Sequence, residues 1–221
     1  TVGEIKELID RSLRYYPNTN ASEIRVVVLE FADRILNEMP ESLAAYAQNK
    51  LNERGIEVQL GVGVAEATGT QLVTTTGEVI DTRTIVATIG NTPAPVVAKM
   101  PLTLEQGRIL VRRDFRADGF ENIWAIGDCA LIPMTDTASA REDFAPPTAQ
   151  FAVREAKHLA QNVVAALQNQ NLKKFHYSSK GSLASLGAGR GVAEVYGIKL
   201  TGRLAWLLWR VYFILFFPCM Q

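Results

Sequence analysis

Apolar positions in the first sixty residues follow two alternating patterns. They recur at helical spacing over residues 2–13 and 41–54, and the second segment ends at Gly55, which suits a left-handed cap. Short continuous apolar runs at 24–29 and 56–60 are typical of parallel strands that are buried on both faces. The order helix, strand, helix, strand is half of a doubly wound sheet, so the pattern predicts an α/β fold.

The next segment predicts a β-meander. Its strands are expected at 71–76, 79–81 and 84–88, with turns at Gly69 and Gly77. The last of these strands runs into a Gly-Asn-Thr-Pro loop at 90–93, which we interpret as a crossing between domains.

A second region follows this crossing. Strands are predicted at 109–111 and 123–126, and an alanine-rich helix at 148–167 begins after a Pro-Pro pair. An apolar, aromatic segment at 204–220 closes the chain. The predicted division is a partial nucleotide-binding domain at 1–92, the C-terminal part of a second such domain at 93–172, and a basic, aromatic segment at 173–221.

Composition and charge exclude several classes of protein. A hydrophobic fraction of 48% with 21% charged residues excludes a mainly disordered chain. Basic and acidic residues number 23 each, so no nucleic-acid partner is predicted. Two cysteines and two histidines predict no metal site. Because the chain begins at Thr1 and stops within an apolar run, we expect a fragment of a longer protein.

The strongest local motif is the segment 122–130, in which an apolar strand ends in Gly127-Asp128. Glycine lets a backbone N–H approach a pyrophosphate closely, and a carboxylate accepts hydrogen bonds from sugar-like hydroxyls. An ordinary turn after a strand is the alternative reading. The segment resembles the flavin-binding half of the two-dinucleotide-binding-domain flavoproteins, which implies that Gly127 and Asp128 bind the ribityl chain of FAD.

Two other positions match that superfamily in order and spacing. Glu30, at the end of the 24–29 run, resembles the acidic residue that accepts from both hydroxyls of the adenine ribose. A carboxylate there repels a 2′-phosphate, so Glu30 favours NADH over NADPH. An exposed charge at a strand end is the alternative. Thr88-Ile89-Gly90 resembles the crossover motif, which places Gly90 on the NADH side, although Ile89 replaces the usual small residue.

Three further segments resemble type II NADH dehydrogenases, the non-proton-pumping NADH:quinone oxidoreductases. They are 145–150, 181–184 and 206–210, and the resemblance covers nearly the whole chain. It implies an FAD-dependent enzyme that passes electrons from NADH to a membrane quinone.

The resemblance also assigns roles at the start of the 148–167 helix. Thr148, Ala149 and Gln150 are implied to face the flavin ring with free N–H groups, and Gln150 to lie between flavin and quinone. The family pattern has a second glutamine where this chain has Arg154. An arginine can donate to a quinone carbonyl, so Gln150 and Arg154 are the candidate catalytic residues. A solvated helix face is the alternative for both.

The implied fold contains two Rossmann-like dinucleotide-binding domains, both incomplete because neither glycine-rich fingerprint is present. We therefore expect the activity to belong to a longer parent protein. Another membrane quinone reductase, of the demethylphylloquinone or sulfide:quinone type, and a non-catalytic flavoprotein-like membrane-binding module remain alternatives. Cys129 has no nearby partner cysteine and is interpreted as a small buried hydrophobic residue.

The closing segment predicts a contact with a membrane surface. The run at 204–220 is too short to span a bilayer, and Pro218 interrupts it. From Lys173 onward, seven basic residues stand against one acidic residue, and Trp206 and Trp209 suit a lipid interface. The predicted amphipathic anchor would make the protein peripheral, on the cytoplasmic face or the equivalent organelle or thylakoid face. A helix in the core or at a homodimer interface is the alternative.

Overall fold

The computed structural model describes residues 1–215, which form two compact units. The first unit comprises Thr1–Val86 together with the chain from Ser179 on, and the second comprises Ala87–Ser178. The helices and strands, in chain order, are α1 (Val2–Ser12), β1 (Val26–Glu30), α2 (Glu41–Asn52), β2 (Ile56–Leu60), β3 (Val64–Ala67), β4 (Gln71–Thr74), β5 (Val79–Asp81), β6 (Leu104–Glu105), β7 (Arg108–Leu110), β8 (Ala130–Leu131), α3 (Ala149–Leu167), β9 (Gly181–Ser185), β10 (Gly191–Val195), β11 (Ile198–Thr201) and α4 (Gly202–Leu215).

The first unit contains the predicted helix, strand, helix, strand order. β1 and β2 pair in parallel from Val26 opposite Ile56 to Glu30 opposite Leu60, which confirms the parallel arrangement. Every residue of β1 is partly exposed, so the prediction of burial on both faces is wrong. The reason is that these two strands form a sheet of their own within residues 1–215, and both of its edges stay open.

The β-meander is present, but with different strands. β3, β4 and β5 form an antiparallel sheet, and Gly77 adopts a left-handed turn at φ +87° between the last two strands. The predicted strand at 84–88 is wrong, because these residues have no strand partner in the described part of the chain. Val86 is 55% exposed there, and an apolar run without a pairing strand cannot form a ladder.

A third, antiparallel sheet of the first unit comes from the C-terminal part of the chain, in the order β11-β10-β9. Leu186 and Val192, from this part, share one apolar core with Leu43, Ala47 and Leu51 of α2. Residues from both ends of the chain therefore fold together.

Arg54 and Gly3 fix that association. The Arg54 guanidinium, 9% exposed, donates to the carbonyls of Gly3 and Leu186 and pairs with Glu7 at 3.1 Å. A side chain at Gly3 would collide with the Leu186 backbone, so glycine is what allows α1 to pack closely against the C-terminal segment.

Helix α4 packs one face on the C-terminal sheet and exposes the other. Ala205 is fully buried, and a Cβ at Gly191 would lie 2.8 Å from the Trp206 amide. Apolar side chains at helical spacing line the opposite face, namely Leu204, Leu207, Val211 and Ile214, which are 45–61% exposed. Among residues 1–215, no helix combines the length and apolarity that a membrane crossing requires. The predicted break at Pro218 lies outside the described residues.

The second unit is built around a small mixed sheet and the long helix α3. β7 pairs antiparallel with β6 and parallel with β8. The predicted strand at 123–126 is wrong, since only Trp124 forms an isolated bridge, to Arg116. Phe115 has a left-handed φ of +76° and accepts from the Ala125 amide, so the backbone opposite this run is too irregular for a ladder.

One face of α3 closes the core of the second unit. Asn162, 1% exposed, donates to the carbonyls of Asp114 and Lys173 and accepts from the Lys173 amide at 3.0 Å. The Phe115 and Phe175 rings pack beside it with centroids 5.1 Å apart. These contacts anchor the C-terminal half of α3 to the core of the second unit.

Candidate functional site

The Gly127-Asp128 motif forms a tight turn on the surface of α3. Gly127 begins a single 3-10 turn that ends at Cys129, and its φ of +70° is the conformation that favours glycine. Its N–H donates to the Glu155 carboxyl at 2.8 Å. The Gly127 amide is therefore already paired within the protein.

The neighbours of Gly127 in the turn differ in accessibility. The Asp128 side chain is exposed, and its backbone amide makes no hydrogen bond within residues 1–215. The Cys129 thiol donates to the Ile126 carbonyl at 3.4 Å and packs partly buried against the core. The turn thus presents one carboxylate and one free N–H, and Cys129 has a packing role.

The N-terminal end of α3 is open to an acceptor. Thr148 occupies the N-cap position, but its side chain makes no capping hydrogen bond and the first turn carries no acidic residue. The amides of Ala149 and Gln150 have no hydrogen-bond partner in the described part of the chain. Free N–H groups and the helix dipole together favour negative charge at this end.

Glu155 connects the turn to α3 and was not singled out in the sequence. It is 2% exposed, on the second turn of the helix. Burial raises the pKa of Glu155 and the nearby Asp128 charge adds to the rise, while the hydrogen bond from the Gly127 amide opposes it. A signal was present, because Glu155 stands four residues after Phe151 and seven before Asn162, on the buried stripe of α3.

Gln150 and Arg154 meet at Tyr177, a second residue that the sequence reasoning missed. The Gln150 amide donates to the Tyr177 hydroxyl at 2.7 Å, and the Arg154 guanidinium lies 4.4 Å from the centre of the Tyr177 ring. Arg154 also donates to the Gln150 carbonyl at 2.6 Å. No local pattern indicates a contact over 27 positions. The three side chains form a half-buried polar cluster one turn into α3.

Glu30 and Gly90 belong to different units. Glu30 ends β1, and one of its carboxylate oxygens accepts from the Ala32 amide at 3.0 Å, which holds the half-buried side chain in place. Gly90 belongs to the second unit, where its φ is +90° and a Cβ would meet no atom within 4 Å. Glycine is therefore favoured at this position by its backbone conformation and not by a lack of space for a side chain.

The described residues contain no group of three or more histidine, cysteine, aspartate or glutamate side chains arranged to hold a metal ion.

Comparison with known families and proteins gives the chain its context. The profile of the pyridine nucleotide-disulphide oxidoreductase family matches residues 15–156. Type II NADH:quinone oxidoreductase of Staphylococcus saprophyticus is 28% identical over 208 residues, which cover 92% of this chain and 50% of that protein. The enzyme of the same name from Staphylococcus aureus is 26% identical over the same length and coverage. The resemblance to type II NADH dehydrogenases is thus confirmed, and the chain spans about half the length of these curated relatives.

Solved structures show the same fold. The NDH2 protein of Plasmodium falciparum, solved in complex with NADH, superposes with a TM-score of 0.84 over 97% of this chain and 59% of its own, at 16% identity. An NAD-dependent persulfide reductase from A. fulgidus gives a TM-score of 0.62 over 77% of this chain and 31% of its own, at 20% identity. The α/β fold predicted from the sequence is confirmed by these likenesses.

Proposed function

The chain belongs to the pyridine nucleotide-disulphide oxidoreductase family, and we propose that its parent protein is a type II NADH dehydrogenase that uses FAD to pass electrons from NADH to a membrane quinone. One observation carries the proposal. The Gly127-Asp128 turn sits directly on α3, whose open N-terminal end lies one to two turns from the Glu155 contact. The names of the curated relatives support the choice of donor and acceptor.

The residues at this turn fit a flavin nucleotide. The exposed Asp128 carboxylate can accept from ribityl hydroxyls, and its free N–H can donate to a phosphate oxygen. Gly127 supplies the turn geometry. Thr148, Ala149 and Gln150 form the end of the helix, and the unpaired amides of Ala149 and Gln150 would face the electron-rich edge of the ring. Bound FAD would supply the two-electron redox chemistry between NADH and quinone.

The first unit would hold the nicotinamide nucleotide. The Ala32 amide fixes one oxygen of Glu30 at the end of a parallel strand, where an acidic residue can accept from ribose hydroxyls. The negative charge disfavours a 2′-phosphate, so NADH is the proposed donor rather than NADPH. Gly90, which follows the unit boundary at Val86 by four positions, is the other residue proposed for the NADH side.

The cluster of Gln150, Arg154 and Tyr177 would orient the quinone. Tyr177 uses its oxygen to accept from Gln150, so its own hydroxyl proton stays available for a carbonyl acceptor. Arg154 places a positive charge beside the same point by stacking on the Tyr177 ring. A quinone carbonyl that gains electron density is stabilised by such donors.

The proposal extends to domains and location. Residues 1–92 would be the partial NADH-binding domain and 93–172 the C-terminal part of the FAD-binding domain, which is supported by the division of the structure near Val86. Within 173–221, α4 would lie in the membrane interface through its apolar stripe, with Arg203 and Arg210 exposed beside it. The protein would be peripheral, on the cytoplasmic or equivalent face, and a homodimer would be compatible with this placement.

Substitution of Asp128 tests the flavin assignment. Asp128→Ala in the full-length parent should weaken FAD binding roughly 10- to 100-fold, because hydrogen bonds to a charged acceptor are lost in a dry site. FAD content of the purified protein, measured by absorbance after release, checks it. Asp118→Ala, an exposed aspartate of the same unit, should retain full FAD content. Full FAD content in the Asp128 variant would contradict the assignment.

Substitution of Glu30 tests the choice of nucleotide. Glu30→Gln keeps an oxygen for the Ala32 amide but removes the charge, so the preference for NADH over NADPH should narrow roughly 10-fold. Steady-state kcat/KM values with both nucleotides measure the preference. Glu57→Gln, on the neighbouring strand β2, is the control and should leave it unchanged. An unchanged preference for NADH over NADPH in the Glu30 variant would contradict this part of the proposal.

Substitution of Arg154 separates the two half-reactions. Arg154→Ala should raise the apparent KM for quinone about 10-fold and leave reduction of the flavin by NADH at its normal rate. Stopped-flow absorbance gives the reductive rate, and steady-state turnover gives the KM. Lys157→Ala, an exposed residue on the same helix, should change neither. A slowed reductive step in the Arg154 variant would place this residue on the NADH side instead.

The apolar stripe of α4 tests the membrane proposal. Serine at Leu207, Val211 and Ile214 should lower binding of the parent to anionic lipid vesicles at least about 100-fold, because three apolar side chains lose their burial in lipid. Vesicle co-sedimentation with and without high salt measures the affinity. Serine at Val153 and Val164, which are 50% and 53% exposed on α3, is the matched control. Equal loss in both variants, or an unmodified parent that never sediments with vesicles, contradicts the placement.

A further inference from the structure

A carboxyl group that the proposed electron path does not use is buried beneath the Gly-Asp turn. Glu155 is 2% exposed, and its Oε2 atom lies 2.8 Å from the Gly127 nitrogen. Buried ionisable side chains without a structural or functional role are rare, because removing a charge from water costs free energy. Within residues 1–215, this contact with the turn is the only hydrogen bond that the Glu155 side chain makes.

The contact determines what the turn presents to its surroundings. Gly127 has a left-handed φ of +70°, and its N–H points toward α3. The next amide, that of Asp128, is left free, and the Asp128 side chain is exposed. If the Gly127 amide lost its acceptor, a buried donor would be unpaired, and the peptide could relieve this by rotating. Rotation would move the Asp128 amide and carboxylate together.

We propose that Glu155 is a positioning residue for the flavin, holding the Gly127-Asp128 turn in the one conformation that aims the Asp128 carboxylate and amide at the cofactor. This inference rests on the proposed FAD-dependent function. Glu155 acts through Gly127 and does not itself touch the flavin.

The geometry requires an acceptor oxygen at this position, and a charge is not needed to supply one. Burial raises the pKa of Glu155 and the nearby Asp128 carboxylate raises it further, against the opposing effect of the hydrogen bond from Gly127, so the pKa lies above its ordinary value. A neutral carboxyl still accepts from an amide through its carbonyl oxygen. Glutamine offers an oxygen at the same reach and should therefore replace glutamate here, whereas leucine fills the space without an acceptor.

The experiment compares three variants of the full-length parent. Glu155→Leu removes the acceptor, and Glu155→Gln keeps it. Asn162→Leu is the matched control, because Asn162 is 1% exposed on the same helix and bonds Lys173 and Asp114 but not Gly127. The readouts are the Kd of each apoprotein for FAD, the visible circular dichroism of the bound flavin, and the Tm of the apoprotein.

The expected results distinguish a positioning role of Glu155 from a contribution to protein stability alone. Glu155→Leu should raise the Kd for FAD about 10-fold or more and alter the visible dichroism, since about one buried hydrogen bond is lost. Glu155→Gln should stay within about 3-fold of the original protein by the same reasoning. Asn162→Leu should lower the Tm at least as much as Glu155→Leu, because it removes three hydrogen bonds instead of one, but should keep the FAD affinity and the dichroism. Glu155→Ala, which leaves room for water, replaces the leucine variant should that one not fold.

Three results would overturn the inference. If Glu155→Leu and Asn162→Leu both lost FAD affinity in proportion to their loss of Tm, the role of Glu155 would be only structural. Loss in Glu155→Gln as large as in Glu155→Leu would show that the charge matters and not the acceptor. A parent that binds no FAD before any substitution would overturn the proposed function together with this inference, and measuring that parent first distinguishes this outcome from the other two.

Discussion

Buried backbone amides and carbonyls must find partners inside the protein, and in the second unit two side chains of α3 meet that demand. Glu155 accepts the Gly127 amide, and Asn162 bonds the backbone of Lys173 and Asp114. Both are polar residues on the stripe that otherwise carries apolar side chains such as Phe151. Helix α3 is therefore anchored at two points: Asn162 attaches its C-terminal half to the core, and Glu155 attaches its N-terminal half to the Gly127 turn.

The proposed site residues of the second unit lie around this N-terminal half of α3. The N-terminal half of α3 carries or contacts all of these groups: the open amides at its start, the turn that bears the Asp128 carboxylate, and the cluster of Gln150, Arg154 and Tyr177. The first unit uses a comparable device, because the Arg54 guanidinium bonds carbonyls from residues 3 and 186. In both units, a few buried polar contacts connect segments that are far apart in sequence.

Local patterns in the sequence predicted a large part of this arrangement. The helices, the parallel pair of β1 and β2, and the helix start after the Pro-Pro pair follow from spacing and capping residues. The strands at 84–88 and 123–126 were wrong, because a strand exists only with a partner and its composition does not reveal whether one is available. The partner of the Gly127 amide could not be predicted for a similar reason, since its acceptor is 28 positions away. The contact of Tyr177 could not be predicted from local patterns either, whereas the helical periodicity of α3 would have been enough to place Glu155 on the buried face.

The central claim is that the parent protein connects NADH to a quinone through a flavin held at the Gly-Asp turn. An anaerobic titration of the purified full-length parent tests it most directly, with flavin absorbance near 450 nm as the signal. One equivalent of NADH per flavin should bleach this absorbance, and one equivalent of a soluble quinone should then restore it. Absorbance that NADH leaves unchanged, or that a disulfide substrate restores while quinone does not, would contradict the account.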